Sequence, residues 1–234
     1  MTNTTWPLKK HLKFLILGLI STACSLKQGP LDELSTLETG DLLFLDLDCG
    51  EICDAIETVT LEQFQVQGPR LSHVGIVERR PEGIFLWEAW PPKGVQLTPL
   101  KDFVSRSSGH LNQPSGVYVG RLRPEARSLG QTAVERIQKQ RGKGYDNRFD
   151  WKTNEFYCSE LVSFGFGGQG GSLLGQLDPL FMPRPMYFGA SRSTSLKAWE
   201  KYYQDLKVDV PHQNLGVSPL GIYLEGKKKI FVTD

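Results

Sequence analysis

One cysteine stands where a helix is predicted to begin. The stretch NEFYCSELVSFGF spans residues 154–166, and apolar side chains recur at helical spacing after Cys158. Asn154 and Ser159 are residue types that open helices. The first turn of a helix favours negative charge, and a thiolate is such a charge. Because free cysteine is also among the most buried residue types, Cys158 is predicted to be either a nucleophile or a small core residue.

A cysteine nucleophile needs a base, and histidine is the usual one. Of the four histidines, His11 lies in the N-terminal segment, His110 in a glycine- and serine-rich loop, and His212 behind a proline near the end of the chain. His73 alone begins an apolar strand, SHVGIVERR, and Gly75 on the same face leaves room beside its ring. His73 is the candidate base, and a purely structural histidine is the alternative.

Glu88 is the candidate for orienting the imidazole, the third role in such a site. The runs SHVGIVERR and GIFLWEAWP are predicted to form a hairpin. If its centre lies between Arg80 and Pro81, Glu88 faces His73 and its carboxylate reaches the ring. Glu88 lies between Leu86-Trp87 and Ala89-Trp90, where a glutamate is unusual for a partly buried strand. The alternative is an edge carboxylate that faces water.

Two tyrosines and one backbone group are candidates for contacts with a substrate. The N–H of Cys158 is a natural donor to an oxyanion, because a helix start leaves such groups unpaired. Tyr157 and Tyr145 are candidate second donors or substrate contacts, and each has a place in the core as its alternative.

The other cysteines give no second site. Cys49 and Cys53 have a four-residue helical spacing that suits a disulfide poorly, so we expect them to be unpaired or loosely paired. A zinc site would need further ligands, and no Cys or His cluster lies near them in the sequence. No metal and no cofactor is predicted.

The N-terminal segment has the pattern of an export signal. Three lysines precede the apolar run FLILGLI, which is shorter than the roughly 20 residues of a transmembrane helix, and STAC follows. The small residues end on Cys24, as in a bacterial lipobox, although Ser21 replaces the usual leucine. We expect a lipoprotein signal over residues 1–23, lipidation of Cys24 and a tether over 24–36; an ordinary cleaved signal or an uncleaved anchor is the alternative. Ser25 favours the outer membrane, facing the periplasm, in a Gram-negative source.

The remaining residues, 37–234, suit a single domain. The balance of 27 Lys and Arg against 26 Asp and Glu argues against a nucleic-acid binder, and a hydrophobic share of 39% argues against disorder. Predicted strands dominate the middle of the chain, and predicted helices flank them. This order indicates an α+β fold, an antiparallel sheet with helices packed on it.

In chain order, the motifs resemble the permuted NlpC-type cysteine hydrolases, and most closely their YiiX/YebB-like branch, which includes lipoproteins. The resemblance runs from about Leu37 to Phe166, and GKGYD and FYCSELV are its most specific parts. In ordinary members the helix with the cysteine comes first in the chain. Here Gly40-Asp41 and His73 precede it. The resemblance implies a circularly permuted papain-like (NlpC-type) fold in which an antiparallel sheet packs against a helix carrying the nucleophile.

The resemblance also implies roles. Cys158 is the nucleophile, His73 the base and Glu88 the orienting residue of a cell-envelope hydrolase that cleaves an amide through a thioester. Asp41, from the Gly-Asp pair, is added as a candidate contact.

The expected substrate is a peptidoglycan-derived peptide, a lipid or a small amide, and the expected membrane contact is the N-terminal lipid anchor. The alternatives are an acyltransferase or lipid hydrolase with the same triad, and a non-catalytic envelope binding module.

The predicted localisation of the protein is testable at Cys24. Cys24→Ala should convert a membrane-associated protein into an unprocessed or soluble form, because acyl chains on the thiol would carry the attachment. Globomycin, which blocks lipoprotein signal cleavage, should make the precursor accumulate. Fractionation and immunoblotting measure both effects, and a mature N-terminus found at another residue would end this idea.

Overall fold

A five-stranded antiparallel sheet organises the protein. The computed structural model describes residues 34–108, 116–167, 180–212 and 214–232. In chain order the strands are β1 (Leu42–Leu45), β2 (His73–Arg80), β3 (Gly83–Trp90), β4 (Gly94–Pro99) and β5 (Val117–Gly120). Their spatial order is β4-β3-β2-β1-β5, and every neighbouring pair is antiparallel. The predicted mixed architecture with an antiparallel sheet is confirmed.

Helices cover the sheet and extend beyond it. They are α1 (Glu51–Phe64), α2 (Leu100–Val104), α3 (Arg127–Gln138), α4 (Cys158–Gly165), α5 (Thr194–Asp205) and α6 (Pro219–Lys229). Helix α4 contacts β2, β3 and α3, while α1 contacts α5 and α6. A two-stranded ribbon of β6 (Arg184–Pro185) and β7 (Leu215–Gly216) lies outside the main sheet. The segment after residue 180 therefore packs against α1.

The sheet is buried on both faces at its centre. All four residues of β1, LLFL, are fully buried. Side chains alternate along a strand, so Leu42 and Phe44 join the core beneath α3 and α4, while Leu43 and Leu45 join a second cluster around Phe103. Each such side chain contributes roughly 1.5–3 kcal/mol by leaving water. This burial fixes β1 as a central strand and holds β2 beside it.

The β2–β3 hairpin was predicted, but the predicted register was wrong. The structure pairs Ile76 with Trp87, and extending that register sets His73 opposite Trp90 instead of Glu88. The turn is centred one residue later than expected, which moves the pairing by two residues. Since side chains alternate with a period of two, His73 and Glu88 still share one face of the sheet. A diagonal pair replaces the direct pair, and both side chains remain within reach.

Gly75 provides space for an aromatic ring. A Cβ added at Gly75 would lie 2.8 Å from Phe103 Cε2 and 3.2 Å from Leu86 Cδ2. The Phe103 ring in turn lies against the His73 ring, with centroids 5.3 Å apart. The room expected beside His73 is therefore occupied by a packed side chain from α2.

Cys49 and Cys53 form a disulfide, so the expectation of unpaired or loosely paired cysteines was wrong. Helix α1 begins at Glu51, after Gly50 has turned the chain with a φ of 83°. Cys49 therefore lies outside the helix, and the helical spacing that argued against a bridge does not apply. The two Cα atoms are 5.5 Å apart, within the ordinary range for a disulfide.

Several predictions fall on residues outside the described ranges. The signal over 1–23, the lipidated Cys24, most of the tether and His110 all lie there. Within the described ranges, none of the helices has the length and apolar character needed to cross a membrane.

The packing at Gly75 can be tested with a substitution that adds one methyl group. Gly75→Ala should lower the free energy of unfolding by roughly 1–3 kcal/mol, because the new methyl overpacks against Phe103. Gly68→Ala is the matched control, since nothing lies within 4 Å of a Cβ built there. Urea denaturation measures both variants, and a Gly75→Ala protein as stable as the control would contradict this packing.

Candidate active site

Cys158 is the first residue of α4. Among the residues that the structure describes, it is the one free cysteine, and its side chain is 6% exposed. The backbone of Tyr157 is extended, and its N–H donates to Glu160 Oε2 at 3.4 Å. The first helical bond runs from Leu161 N–H to the Tyr157 carbonyl at 3.0 Å. This start leaves the N–H groups of Cys158 and Ser159 without intrahelical partners, so the positive end of the helix dipole lies at the turn that carries the thiol.

His73 lies between the cysteine and a carboxylate. Its ring is 3% exposed, and Nε2 donates to Glu88 Oε2 at 2.7 Å. The ring is also hydrogen-bonded to the side chain of Cys158, for which Nδ1 is the nitrogen that remains. Trp90 meets the ring edge-on at 5.0 Å, and Phe103 lies tilted against it at 5.3 Å. The imidazole is thus oriented on each side by a contact that fixes its position.

Glu88 is fully buried and has a hydrogen-bond partner on every side. It accepts from His73, from Thr98 Oγ1 and from Gln96 Nε2, the last at 3.3 Å. Arg106 Nη2 donates to both of its oxygens, at 2.8 and 2.9 Å. The alternative of an edge carboxylate facing water is therefore wrong, because β4 covers this position with Gln96 opposite it.

Sequence reasoning missed these three partners of Glu88. Gln96 and Thr98 alternate along β4 as polar residues of one face, which a predicted β3–β4 pairing would have linked to Glu88. Arg106 lies in the turn after α2, and nothing in the local sequence distinguishes it from a surface arginine.

The electrostatics favour an ion pair between His73 and Glu88. Burial by itself lowers the pKa of His73, but its hydrogen bonds to Cys158 and Glu88 outweigh burial and raise the pKa from 6.5 to about 9. Burial raises the pKa of Glu88, yet His73 and Arg106 overcome this and lower it from 4.5 to about 2. At neutral pH the imidazolium and the carboxylate are both charged.

A cleft opens on the other side of Cys158. One wall comes from α1, and the facing wall comes from the segment after residue 180. The lining contains no Asp, Glu, Lys, Arg or His among the described residues. Its larger apolar side chains are Ile56, Val59, Phe149, Met186, Trp199 and Val217. The thiol therefore faces an uncharged and mostly apolar space, while the charged pair lies behind it.

Both candidate tyrosines line this cleft. The Tyr157 hydroxyl accepts from Val217 N–H at 2.9 Å and so helps to fix the facing wall. Tyr145 lies close enough to Cys158 to feel its charge. Burial raises the pKa of both phenols well above 10, so each keeps its proton at neutral pH and can donate a hydrogen bond.

Asp41 is not brought into the site. It is fully buried just before β1, at the opposite end of that strand from His73. Its Oδ1 accepts from Leu122 N–H at 2.9 Å and from Arg127 Nη1 at 2.8 Å, while Oδ2 accepts from Glu38 N–H at 2.9 Å. The expectation of a substrate contact is corrected to a structural role, because these partners join the start of β1 to the start of α3.

The chain is similar to proteins of one family. A family described as a permuted papain-like amidase, YaeF/YiiX, C92, matches residues 36–171, more than half of the 234 residues. Uncharacterized protein YiiX of Escherichia coli K12 is 27% identical over 150 residues, which cover 64% of this chain and 64% of that protein. The chain thus matches slightly less than two thirds of that curated relative's length. A crystal structure described as metalloprotein YiiX of Escherichia coli O157:H7 shares the fold, with a TM-score of 0.61, 21% identity, and coverage of 80% of this chain and 91% of that chain.

In the part of this chain that the structure describes, no group of three or more His, Cys, Asp or Glu side chains is arranged to hold a metal ion. Cys158, His73 and Glu88 are joined in series by hydrogen bonds, so their donor atoms face one another.

The His73–Glu88 pair predicts how stability depends on pH. The folded pKa of His73, about 9, lies above its ordinary value of 6.5. The stability that protonation of His73 contributes is therefore fully present below about pH 6.5 and is lost as the pH rises through 9. Glu88→Gln lowers the folded pKa of His73. Between pH 6.5 and 9 the free energy of unfolding of the variant should therefore fall by roughly 1–3 kcal/mol less than that of wild type.

Urea unfolding across this pH interval measures the difference. Glu78→Gln is the control, because Glu78 lies on β2 and pairs with Arg80, away from His73. Parallel stability curves for wild type and Glu88→Gln would contradict the ion pair.

Proposed function

Because the chain belongs to the YaeF/YiiX (C92) family of permuted papain-like amidases, we propose that it is a cysteine hydrolase of the cell envelope that cleaves an amide. Cys158 is the nucleophile, His73 the base and Glu88 the residue that orients the base. The observation that carries this proposal is the continuous hydrogen-bonded series from thiol to imidazole to buried carboxylate. An NlpC-type arrangement, with the nucleophile at the start of the helix that packs on the sheet, fits the position of Cys158 on α4.

The first half of the reaction forms a thioester. The Cys158 thiolate attacks the carbonyl carbon of the amide, and the carbonyl electrons move onto its oxygen. The N–H of Cys158 donates to this oxyanion, with the Tyr145 hydroxyl as a second donor. The His73 imidazolium gives its Nδ1 proton to the leaving nitrogen, the carbon–nitrogen bond breaks, and the amine departs.

The second half restores the enzyme. Neutral His73 takes a proton from water through Nδ1, and the resulting hydroxide equivalent attacks the thioester carbonyl. The second tetrahedral intermediate collapses, the carbon–sulfur bond breaks, and a carboxylic acid leaves. Cys158 remains as the thiolate and His73 as the imidazolium, so protons and electrons balance. Glu88 stays ionised throughout and stabilises the imidazolium in the form that each step requires.

The cleft beside Cys158 favours a substrate with an uncharged, apolar part. A charged stem peptide would need ionic partners for its carboxylates, and the described lining supplies none. Tyr145 and Ser218 offer neutral hydrogen-bonding groups along a mostly apolar wall. The same apolarity favours a second candidate function, an acyltransferase or lipid hydrolase that uses the same three residues.

The envelope location rests on the N-terminal sequence. A basic start, a short apolar run and the STAC motif ending at Cys24 support export and lipidation. The Cys49–Cys53 disulfide is consistent with an exported protein, because disulfides persist in oxidising compartments. A lipid anchor would hold the domain at the membrane surface, on the periplasmic side of the outer membrane in a Gram-negative source.

The catalytic assignment is testable without a known substrate. Iodoacetamide should label Cys158 rapidly in wild type, and labelling should be at least about tenfold slower in His73→Ala, because the variant lacks the base that holds the thiolate. His212→Ala is the matched control and should label like wild type, since the ring of His212 contacts Phe188. Peptide mass spectrometry measures the rate at Cys158.

Turnover is tested next on acyl amides with short and long acyl groups. Cys158→Ser and His73→Ala should lose about 10²-fold or more of the activity, while Glu88→Gln should retain part of it. Wild-type turnover in Cys158→Ser would overturn the proposal. Rapid labelling without turnover on any acyl substrate would instead favour a binding module, and mass spectrometry of ligands retained by Cys158→Ala would identify what it binds.

A further inference from the structure

Arg106 contacts the site from the side opposite to Cys158. We propose that Arg106 is a positioning residue that holds Glu88 in place and limits how strongly this carboxylate stabilises the His73 imidazolium. The inference rests on the proposed function, because it assigns a role within the same site. It adds a control element that lies outside the three residues of the triad.

The contact geometry restrains the carboxylate. Arg106 Nη2 lies 2.8 Å from Glu88 Oε1 and 2.9 Å from Oε2, so one nitrogen holds both oxygens. Rotation of the carboxylate would lengthen at least one of these charge-assisted bonds. Thr98 and Gln96 restrain Oε1 from β4, which leaves Oε2 directed at His73.

Arg106 is itself held by the rings that hold His73. Its guanidinium carbon lies 4.0 Å from the Trp90 ring centroid and 5.1 Å from that of Phe103. The same two rings contact the imidazole at 5.0 and 5.3 Å. Arginine stacks on aromatic faces favourably, and lysine lacks the planar group that does so. Trp90 and Phe103 therefore hold both cationic side chains in position beside the Glu88 carboxylate.

This placement has a cost in stability. The Arg106 side chain is 19% exposed, and its Nε is buried without a hydrogen-bond partner among the described residues. An unsatisfied buried donor is unfavourable, because it has given up its hydrogen bonds to water. A neutral residue at position 106 would avoid that cost. The presence of an arginine there is easier to explain if its charge has a role in the site.

The charge has a definite electrostatic effect. Glu88 is hydrogen-bonded to both His73 and Arg106, so its carboxylate attracts two positive charges. Arg106 repels the imidazolium, so His73 holds its proton less strongly than it would beside Glu88 alone. The other groups that face the pair are Cys158 from α4 and the neutral Thr98 and Gln96 from β4, while Tyr145, beside Cys158, stays protonated below about pH 10.

The test separates charge from packing with two substitutions. Arg106→Gln keeps an N–H donor for Glu88 but removes the charge, whereas Arg106→Lys keeps the charge but removes the planar group. Arg80→Gln is the matched control, because Arg80 also pairs with a carboxylate and lies over an aromatic ring, at the far end of the hairpin. The alkylation rate of Cys158 with iodoacetamide is measured from about pH 5 to pH 10.5.

An upper inflection near pH 9 is expected in wild type, where the His73 imidazolium loses its proton. Arg106→Gln should move the upper inflection upward by roughly half a pH unit or more, since a repelling charge is gone. Arg106→Lys and Arg80→Gln should leave it within about 0.2 of wild type, and thermal melting shows which variants are folded.

Each outcome decides one question. An upper inflection in folded Arg106→Gln that is unchanged or lower than in wild type would overturn the role of Arg106, and so would an equal upward shift in Arg106→Lys. If Arg106→Gln does not fold, a wild-type inflection in Arg106→Lys supports the role of the charge and a shifted one overturns it. A wild type in which Cys158 is alkylated no faster than in His73→Ala would instead refute the proposed function itself.

Discussion

A carboxylate buried in the middle of a sheet must have partners on every side, and Glu88 imposes that constraint here. An isolated buried carboxylate is unfavourable by several kcal/mol, and its charge is retained only where the surrounding groups bond to it. The partners come from β2, from β4 and from the turn after α2. The path of the chain from residue 73 to residue 106 is thus tied together through one side chain, and the orientation of His73 follows from it.

The packing around this pair connects it to residues that lie at a distance from the thiol. Gly75 makes space for Phe103, and Phe103 lies against both the imidazole and the guanidinium. Protein interiors are dense enough that a displaced ring displaces its neighbours. The strand that carries His73 and the helix that follows β4 are therefore packed together through Phe103, and α4, which carries Cys158, contacts the same strand.

Much of this arrangement was predictable from the sequence. The permuted papain-like fold and the family were predicted correctly from GKGYD, FYCSELV and the order of the motifs, and the β2–β3 hairpin was predicted from its two apolar runs and the turn between them. The register was missed because turn geometry decides it, yet the two-residue error preserved the face that His73 and Glu88 share. The Cys49–Cys53 bridge was missed because spacing cannot show that a helix begins between two cysteines. Arg106 was missed because its role depends on contacts far apart in the chain.

The cleft is assembled from two parts of the chain with different relationships to other proteins. Cys158, His73 and Glu88 all lie within residues 36–171, the part that matches the family, whereas Met186, Trp199 and Val217 lie beyond it. The family match therefore covers the three residues of the hydrogen-bonded series but only part of the cleft wall. A substitution at Met186, Trp199 or Val217 would change the shape of the cleft without replacing any of those three residues.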